Sequence, residues 1–543
     1  MITWEEIITK VEQLDLETRV ISSSRTFDEI PIWMPSAYGG FGDIMTTLKL
    51  GEGLKREFPD KKVTVYFGKE TDYKQVQTVY PHFNPKEKTA QLNGISVAQV
   101  SDAEMRKIMG RSVIGIYSPV GIHRNPPKEF IENFLMEAAI NLYIQEYDAA
   151  DKIYYPQTEI PNRLYRDKSG RQHVMLATGF DEDSVGIHID PTLTELSTGT
   201  SYNDKTHLLQ RAGFQIVQKY VPNVLNTTWG FAYHNEDYTV KDLEDTIIKA
   251  LEETKMGAIT IFNFNRTNSK LVKEYAKKSQ FRHVLLGEEE GVINNDINDS
   301  AVPNIHVVHV GYQPHDIFLN FLRYSELPVL ITGDASLSEA VSLRKIWIYQ
   351  SPPWKVAIFP NFVKRACGML DDWREADRIT SLFGCRRVTE KNVHEFPEVE
   401  KFYITYRKQI HQAFDLEKEC RERKDNKTEM FQLFGKILRE QGFEQADRLE
   451  KYFREHNLAL WTASFRKSKG IDAELRTLRK TQIFGPLGGH TANTQTHRLF
   501  FDPEYQASFR QYTEAIIRDM DISKNLANLI RKAIQQYQEH AQT

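Results

Sequence analysis

The chain has 543 residues, with 70 basic against 74 acidic side chains and a formal net charge of −4. This length exceeds what one hydrophobic core usually serves and predicts two or three domains. The near balance of charge gives no electrostatic reason to expect a nucleic-acid partner. The three cysteines are few, odd in number and not spaced as a zinc site, which is typical of a reducing compartment.

No apolar run reaches the roughly 18 residues that a membrane span requires. The first six residues, Met-Ile-Thr-Trp-Glu-Glu, have neither the basic nor the apolar region of a secretory signal. We therefore expect a cytoplasmic protein with no membrane span. The same pattern is compatible with secretion that uses no cleaved N-terminal signal.

The first layer of predicted elements begins at Ile30, after a short polar helix and linker. Apolar runs alternate there with helical periodicity, as at residues 45–58 and 127–142, which predicts parallel strands joined by crossover helices. The strands are predicted at residues 30–35, 63–67, 112–117, 152–155, 174–177 and 185–189. Residues 191–226 are then predicted to form a helix-containing connection.

The second layer alternates more regularly. Its strands are predicted at residues 229–234, 258–264, 283–287, 305–310, 328–332 and 346–350, and its helices at 240–253, 269–278, 314–325 and 337–344. From Leu370 onward long helical periodicity dominates, as in the apolar positions of residues 430–438 and 522–534. We predict an α/β fold with two Rossmann-like domains, 1–226 and 227–369, facing across a cleft, and a helical extension, 370–543.

Two junctions carry an apolar strand through glycine directly into a helix. One is Leu-Ile-Thr-Gly-Asp-Ala-Ser-Leu-Ser-Glu at residues 330–339, and the other is Tyr-Gly-Gly-Phe-Gly-Asp-Ile at residues 38–44. Unpaired N–H groups and the helix dipole favour a phosphate at such a junction. One junction in each half predicts a nucleotide-linked ligand held between two domains. The glycine spacing matches neither G-x-G-x-x-G nor G-x-x-x-x-G-K-[ST], which disfavours NAD-type and ATP-type loops.

The polar residues of the second junction have two interpretations. Ser336 and Glu339 have the S-x-x-E spacing of a capping box, which would satisfy each other's backbone N–H groups. The same geometry would leave the remaining N–H groups facing a diphosphate, with either side chain near a ribose. Asp334 is a turn former or, because it follows Gly333 at a strand's carboxyl end, a ligand contact.

Asp43 in the first junction is the candidate helix cap and also the candidate catalytic acid. A helix N-terminus stabilises the charged carboxylate and makes it a weaker base. A catalytic Asp43 would therefore accept the acceptor proton late, or would orient the nucleophile. Gly40 and Gly42 beside it form either a flexible turn or a point of close backbone approach to a ligand.

Further candidates follow strands of the second layer. Arg266 is either a surface loop residue or a bidentate partner of a diphosphate, and Gln313 is either solvated or a reader of a base edge. Phe231 and Tyr233 alternate along one strand, so both point to one side, for core packing or as a platform for a nucleobase. The histidines have no metal-ligand spacing, so we expect no metal site.

These junctions together resemble the GT-B class of glycosyltransferases, in which the second domain holds the sugar nucleotide. Gly-Phe-Gly-Asp-Ile at residues 40–44 looks like the N-F-G-D-I loop of the bacterial protein-arginine rhamnosyltransferases that modify elongation factor P, and Gly-Asp-Ala-Ser-Leu at 333–337 looks like their G-E-D-S-F. The resemblance covers about residues 30–70 and 229–350. It departs at Gly39, where that family has an acid, and at Thr332, where it has an arginine.

The resemblance implies a role for each matching residue. Asp43 would be the general base or the carboxylate that orients the nucleophile. Asp334 and Ser336 would contact the donor phosphate or ribose. The nucleobase contacts would be Gln313, Phe231 and Tyr233.

The predicted function is transfer of a sugar from a nucleotide-sugar co-substrate to an acceptor, with a protein side chain favoured and no cofactor or metal. Many retaining GT-B enzymes have two glutamates separated by seven residues, but Trp347 stands eight positions after Glu339, which favours inversion. Two alternatives stay open. One is a sugar-nucleotide epimerase or hydrolase of the same fold, and the other is a non-catalytic scaffold that binds partners through its helical last third.

Overall fold

The computed structural model of the protein describes most of the chain up to residue 370 and its last helices. The described residues are 25–36, 41–120, 136–148, 164–166, 171–180, 184–196, 201–233, 241–253, 257–264, 269–277, 279–287, 290–293, 305–311, 313–349, 358–370, 375, 378–379, 382, 386–387, 458–459 and 496–542. They form two large β-sheets with helices between and around them.

The first sheet has eight strands in the order β3-β4-β2-β1-β5-β6-β8-β7. They are β1 (Glu29–Met34), β2 (Lys62–Phe67), β3 (Thr89–Leu92), β4 (Ile95–Gln99), β5 (Ile114–Val120), β6 (Ile140–Tyr147), β7 (Leu164–Arg166) and β8 (Gln172–Thr178). Only β3 and β7, at the edges, pair antiparallel. The parallel strands follow the doubly wound order, and the winding reverses between β1 and β5.

The second sheet has seven strands in the order β12-β11-β13-β10-β9-β14-β15. They are β9 (Thr228–Tyr233), β10 (Ile259–Phe264), β11 (Arg282–Leu285), β12 (Gly291–Ile293), β13 (Ile305–Val310), β14 (Val329–Ile331) and β15 (Trp347–Tyr349). All pairs except β11 with β12 are parallel. Here the winding reverses between β9 and β14, where the chain returns to the other side of its first strand.

The helices connect and cover these strands. In chain order they are α1 (Phe41–Glu57), α2 (Glu70–Val79), α3 (Asp102–Arg111), α4 (Pro191–Thr194), α5 (Tyr202–Arg211), α6 (Val217–Tyr220), α7 (Lys241–Glu253), α8 (Ser269–Ala276), α9 (His315–Tyr324), α10 (Asp334–Ser342), α11 (Ile358–Met369), α12 (Pro503–Asp519) and α13 (Ile522–Gln542). Short 3₁₀ turns lie at Val224–Asn226 and Thr496–Phe500. A two-residue parallel pair joins β16 (Arg386–Arg387) to β17 (Leu458–Ala459).

The last two helices pack against different sheets. In α12 the ring of Phe509 lies 5.4 Å from Trp347 of β15, and Tyr512 donates a hydrogen bond to the Phe362 carbonyl at 2.6 Å. The apolar stripe of α13 is buried in the same hydrophobic cluster as β1, β2 and β5. The C-terminal segment therefore braces both sheets.

Residues 185–189 contact the turn between these two helices. Ile187 donates from its N–H to the Met520 carbonyl at 2.8 Å and accepts from the Ile522 N–H at 2.9 Å. Gly186 has a φ of +104°, and a Cβ there would lie 2.0 Å from the Met520 oxygen. Only glycine lets the two backbones approach so closely.

The predicted elements of the second layer are confirmed, and so are the helices predicted in residues 191–226. The predicted strand at 185–189 is wrong, because Val185 and Gly186 hydrogen-bond to Ala177 and Gly179 around the end of β8, and Ile187 forms only an isolated bridge with Asp521. In the helix predicted at 127–142, residues 136–139 are irregular and β6 begins at Ile140. The hairpin of β3 and β4 was not predicted. The strand predicted at 152–155 and the periodicity at 430–438 lie outside the described residues.

Among the helices that the structure describes, none combines the length and the hydropathy needed to cross a bilayer. The predicted division at residues 226 and 369 stays a prediction. Each sheet nevertheless has its own winding and its own helices, so the α/β fold with two Rossmann-like units and C-terminal helices is confirmed.

Candidate functional site

Both glycine junctions lie where the winding of a sheet reverses. In the first sheet the chain leaves β1 at Met34 and begins α1 at Phe41, and in the second it leaves β14 at Ile331 and begins α10 at Asp334. Ligands of doubly wound sheets bind outside the carboxyl ends of the strands at this position. The topology therefore places each junction at the usual ligand-binding edge of its sheet.

The helix α10 begins directly after Gly333. This residue has a φ of +83° and a ψ of 154°, a backbone conformation that is open to glycine and strained for other residues. A glycine cap has no side chain to accept hydrogen bonds from the first turn. The capping box predicted between Ser336 and Glu339 is not formed, because the helix begins at Asp334 and Ser336 already lies inside its first turn.

Replacement of Gly333 by alanine tests how strongly the junction depends on this backbone conformation. No heavy atom lies within 4 Å of a Cβ added at Gly333 or at Gly42, but only Gly333 has a positive φ. We expect Gly333→Ala to lower the free energy of unfolding by about 1–3 kcal/mol. The matched control Gly42→Ala should leave it unchanged or raise it slightly, since alanine favours a helix. Urea unfolding measures both, and equal effects of the two substitutions would contradict this account.

The two helices that begin at these junctions lie side by side. Lys49 of α1 contacts Glu339 of α10 through an ion pair. Near their carboxyl ends, Arg56 donates to the Ile189 carbonyl at 3.4 Å, and Ser342 accepts from the N–H of Asp190 at 3.0 Å. Because both helices end beside the same short segment, they run in the same direction. Their N-terminal ends, with Asp43 and Asp334, therefore lie on the same side of the contact.

The contact between α1 and α10 also joins the two sheets. Thr47 of α1 donates to the carbonyl of Ser118 on β5 at 3.0 Å. The carboxylate of Asp334, the first residue of α10, accepts a hydrogen bond from the N–H of Tyr147 at 3.0 Å. Tyr147 ends β6, the neighbour of β5. The start of the α10 helix of the second sheet thus rests on the carboxyl edge of the first sheet.

Glu339 is the buried centre of this contact, with 1% of its side chain exposed. Its Oε1 atom receives Nζ of Lys49 and, at 2.7 Å, Nε2 of His315 from α9. Burial alone would raise the pKa of the Glu339 carboxyl, but Lys49 and His315 together lower it to about 2. Glu339 is therefore an anion held by two cationic or hydrogen-donating groups from different helices.

A second buried group surrounds Tyr147. Its hydroxyl lies 2.7 Å from Oγ of Ser338 on α10 and accepts from the N–H of His188 at 2.6 Å. The His188 ring stacks on Tyr147 with centroids 6.1 Å apart, and neither ring nitrogen has a hydrogen-bond partner within the described part of the chain. Burial, with the nearby charges of Lys49 and Arg56, lowers the pKa of His188 to about 3. This histidine is neutral at physiological pH.

The structure places the predicted residues of the first junction as follows. Asp43 is half-buried in the first turn of α1 and interacts with other parts of the protein, and Gly42 beside it is exposed. Gly40 and Arg266 both lie outside the described residues. The Asp43 carboxylate is thus at the N-terminal end of the helix that contacts α10.

In the second sheet, Ser336 and Asp334 are both largely buried in the first turn of α10. Gln313 is half-buried just before α9, two residues from His315. Asp334, Ser336, Gly333 and Gln313 are thereby brought to one edge of the second sheet. Glu339 lies deeper, under the contact with α1.

The two aromatic residues of β9 differ in exposure. Phe231 is 1% exposed and packs between Phe264 at 5.2 Å and Phe318 at 5.1 Å. Tyr233 is half-buried and meets the edge of the same Phe318 ring at 5.3 Å. Both side chains point to one side, as predicted, but Phe231 belongs to the core and only Tyr233 has an accessible face.

Sequence reasoning missed Lys49, His315, Tyr147 and His188. The one local signal for Lys49 is its position between Leu48 and Leu50, both buried, since lysine is rarely buried without a partner. His315 lies two residues after Gln313, which was already a candidate, and begins α9. Within the described residues, no three His, Cys, Asp or Glu side chains are arranged to hold a metal ion.

Comparisons with known proteins give only distant structural likeness. No protein-family model matches the chain, and a search of curated proteins finds no match. A glycosyltransferase from Rickettsia africae has a TM-score of 0.34 at 9% identity over 59% of this chain and 78% of its own. A family 9 glycosyltransferase from Veillonella parvula has a TM-score of 0.28 at 10% identity over 61% of this chain and 83% of its own. An α,α-trehalose 6-phosphate synthase from Burkholderia multivorans has a TM-score of 0.31 at 8% identity over 62% and 85%. The assignment of two Rossmann-like units rests on the sheet topology described above.

Proposed function

We propose that the protein is a glycosyltransferase of the GT-B type, which moves a sugar from a nucleotide-sugar donor to an acceptor. The observation that carries the proposal is the packing of α1 against α10. Each helix follows a junction at the switch point of its own sheet, and the two run in the same direction. A ligand at one junction would therefore lie close to the other.

The donor would bind at the start of α10. A diphosphate there would accept hydrogen bonds from first-turn N–H groups that a glycine cap leaves without a side-chain acceptor, and the helix dipole would stabilise its charge. The Ser336 hydroxyl in that turn would add a further donor. Arg266, which follows β10 in the chain, would neutralise the remaining charge.

The nucleobase would lie at the ends of the adjacent elements. Tyr233 ends β9, which pairs with β14, and its half-buried ring would stack on the base. Phe318, which contacts Tyr233 and also packs against Phe231, would support that ring. The amide of Gln313 would read the base edge.

Asp43 would act on the acceptor from the opposite helix. At the N-terminus of α1 its carboxylate is stabilised in the charged form, so it would take the acceptor proton late or would orient the nucleophile. One carboxylate on the acceptor side, with fixed donors for the departing diphosphate, is the requirement of an inverting reaction. We propose a metal-independent reaction with a protein side chain as the favoured acceptor, on the strength of the sequence resemblance.

Calorimetric titration with a panel of UDP-, GDP- and dTDP-sugars tests the donor. We expect one nucleotide class to bind, and its diphosphate to bind at least tenfold tighter than its monophosphate, because the second phosphate would meet the helix terminus. Ser336→Ala should weaken binding by about threefold to tenfold through loss of one hydrogen bond. If no member of the panel binds, the donor proposal fails.

Product analysis with donor alone then defines the reaction. A transferase should consume little donor without an acceptor. Rapid conversion or hydrolysis of the donor alone would instead identify the epimerase or hydrolase that the sequence left open.

A further inference from the structure

Three helices meet at one buried carboxylate oxygen. Lys49 of α1, Glu339 of α10 and His315 of α9 form this contact, which we call the Lys49–Glu339–His315 cluster. In the proposed function α1 carries Asp43, α10 carries the donor site, and α9 follows Gln313. The cluster thus links the three parts of the site, and on α1 and α10 it lies beyond the N-terminal turns.

Burial makes the cluster sensitive to geometry. The side chains of Lys49 and Glu339 are 9% and 1% exposed, and that of His315 is 20% exposed. A buried charge is tolerated only while its partners remain in place. Because Lys49 and His315 share a single oxygen of Glu339, displacement of any one helix weakens a contact with another.

The spacing along the helices connects the cluster to the reacting groups. Asp43 precedes Lys49 by about 9 Å of helix rise, and Asp334 precedes Glu339 by about 7.5 Å. The N-terminal turns of α1 and α10 therefore lie at similar distances from the cluster along their helices. A reaction that requires near-attack geometry loses about 100-fold in rate for an error of about 1 Å.

The position of Glu339 argues against direct contact with the donor. The sequence leaves it either as part of a capping box or as a group near a ribose, but it lies three residues beyond Ser336 and is almost completely buried. Its Oε1 atom is already shared by Lys49 and His315. Donor contacts belong to the first turn of the helix instead.

We propose that Lys49, Glu339 and His315 are positioning residues, which hold the acceptor-side helix and the donor-side helix in the register that transfer requires. This inference rests on the proposed function. It assigns no contact with donor or acceptor to any of the three side chains.

The test compares Lys49→Met, Glu339→Gln and the double variant in the full-length protein. Each single substitution should lower kcat by about 10-fold to 100-fold and change the donor Kd by less than threefold. The double variant should be no worse than the poorer single variant, because both remove the same contact. Lys49→Arg, which keeps the charge, should recover part of the lost kcat.

A matched control is the ion pair between Lys205 and Glu326. Its atoms are 2.8 Å apart and Lys205 is 7% exposed, but the pair links α5 to the segment before β14 rather than α1 to α10. Lys205→Met should lower stability and leave kcat unchanged. If Lys205→Met lowers kcat as much as Lys49→Met does, the cluster contributes only to stability, and the proposal is wrong.

Hydrogen exchange provides a readout that does not depend on activity. Lys49→Met and Glu339→Gln should each increase exchange in both α1 and α10, while Lys205→Met should not. If the wild-type protein binds no nucleotide sugar, the proposed function is wrong. The hydrogen-exchange measurement would still show whether the cluster holds α1 and α10 together. Unchanged exchange in both helices, or a donor Kd raised more than tenfold by Glu339→Gln alone, would overturn the inference.

Discussion

Asp43→Asn is expected to abolish sugar transfer while leaving donor affinity within about twofold of the wild-type value. The substitution keeps the size of the side chain and its place in the first turn of α1, but removes the group that would accept or orient the acceptor proton. General-base catalysis contributes about 10²-fold to 10⁴-fold to a rate, so kcat should fall by that factor. Donor binding is assigned to α10, across the helix contact, and should not respond. Release of nucleoside diphosphate measures kcat, and calorimetry measures affinity.

Asp102→Asn is the matched control. Asp102 is an exposed acid in the first turn of α3, so its replacement also removes a charge that stabilises a helix N-terminus. It should cost the same small amount of stability and leave transfer unchanged. Unchanged turnover in Asp43→Asn would remove Asp43 from the mechanism, and intact biological function in that variant would favour the non-catalytic scaffold.

If the helical last third binds partners, as in the scaffold interpretation, loss of the residues beyond Leu370 should destroy function. The structure shows that this deletion would also remove helices that both sheets need for packing. The α13 helix packs in the core of the first sheet and α12 against the second, so removing both exposes two cores at once. Loss of function after such a deletion would report unfolding, and point substitutions at the α1–α10 contact are the more selective test.

The second sheet could be predicted because its signals are local. Buried parallel strands read as short, nearly continuous apolar runs, and the helices between them have regular amphipathic periodicity. The strand predicted at residues 305–310 has the observed bounds of Ile305–Val310. The glycine junctions were equally visible, because a glycine between strand and helix is a local feature.

The errors arise where distant residues decide the structure. Residues 185–189 are apolar enough for a strand, but Ile187 at their centre bonds to the turn at Met520–Ile522, more than 300 positions later. The helix predicted up to residue 142 is wrong because residues from Ile140 onward form β6, which hydrogen-bonds to β5 on one side and β8 on the other. Hydrophobic periodicity does not reveal such partners.

The same distinction separates the parts of the candidate site. Asp43, Gly333 and Ser336 were identified from their places at strand ends. Lys49 and His315 acquire their role only through Glu339, 290 and 24 positions away along the chain. A capping box was the natural interpretation of Ser336 and Glu339, and it failed because the helix starts at Asp334 and Glu339 faces another helix.

His188→Phe is expected to make the free energy of unfolding depend less steeply on pH below about pH 6.5. His188 is 4% exposed, and burial, with the charges of Lys49 and Arg56, lowers its pKa from 6.5 to about 3. The unfolded chain therefore binds one more proton than the folded chain between these two pH values. Stability rises with pH across this window, so it is lost on acidification by up to about 1.4 kcal/mol per pH unit. Phenylalanine fills a similar volume, cannot be protonated and can still stack on Tyr147, so it should remove this contribution.

Urea unfolding at pH 7, 6, 5 and 4 measures the difference. At pH 7 the variant should be within about 1.5 kcal/mol of the wild type, since it loses no hydrogen bond of the ring to the described residues. Between pH 6 and 4 the free energy of unfolding of the variant should fall less steeply than that of the wild type. The difference in slope should correspond to about one bound proton per molecule. His207→Gln, at an exposed histidine of α5, should follow the wild-type curve. Parallel curves for His188→Phe and wild type would show that His188 is not held neutral. In that case the His188 ring, which stacks on Tyr147 close to the start of α10, would not be an uncharged contact between the two sheets.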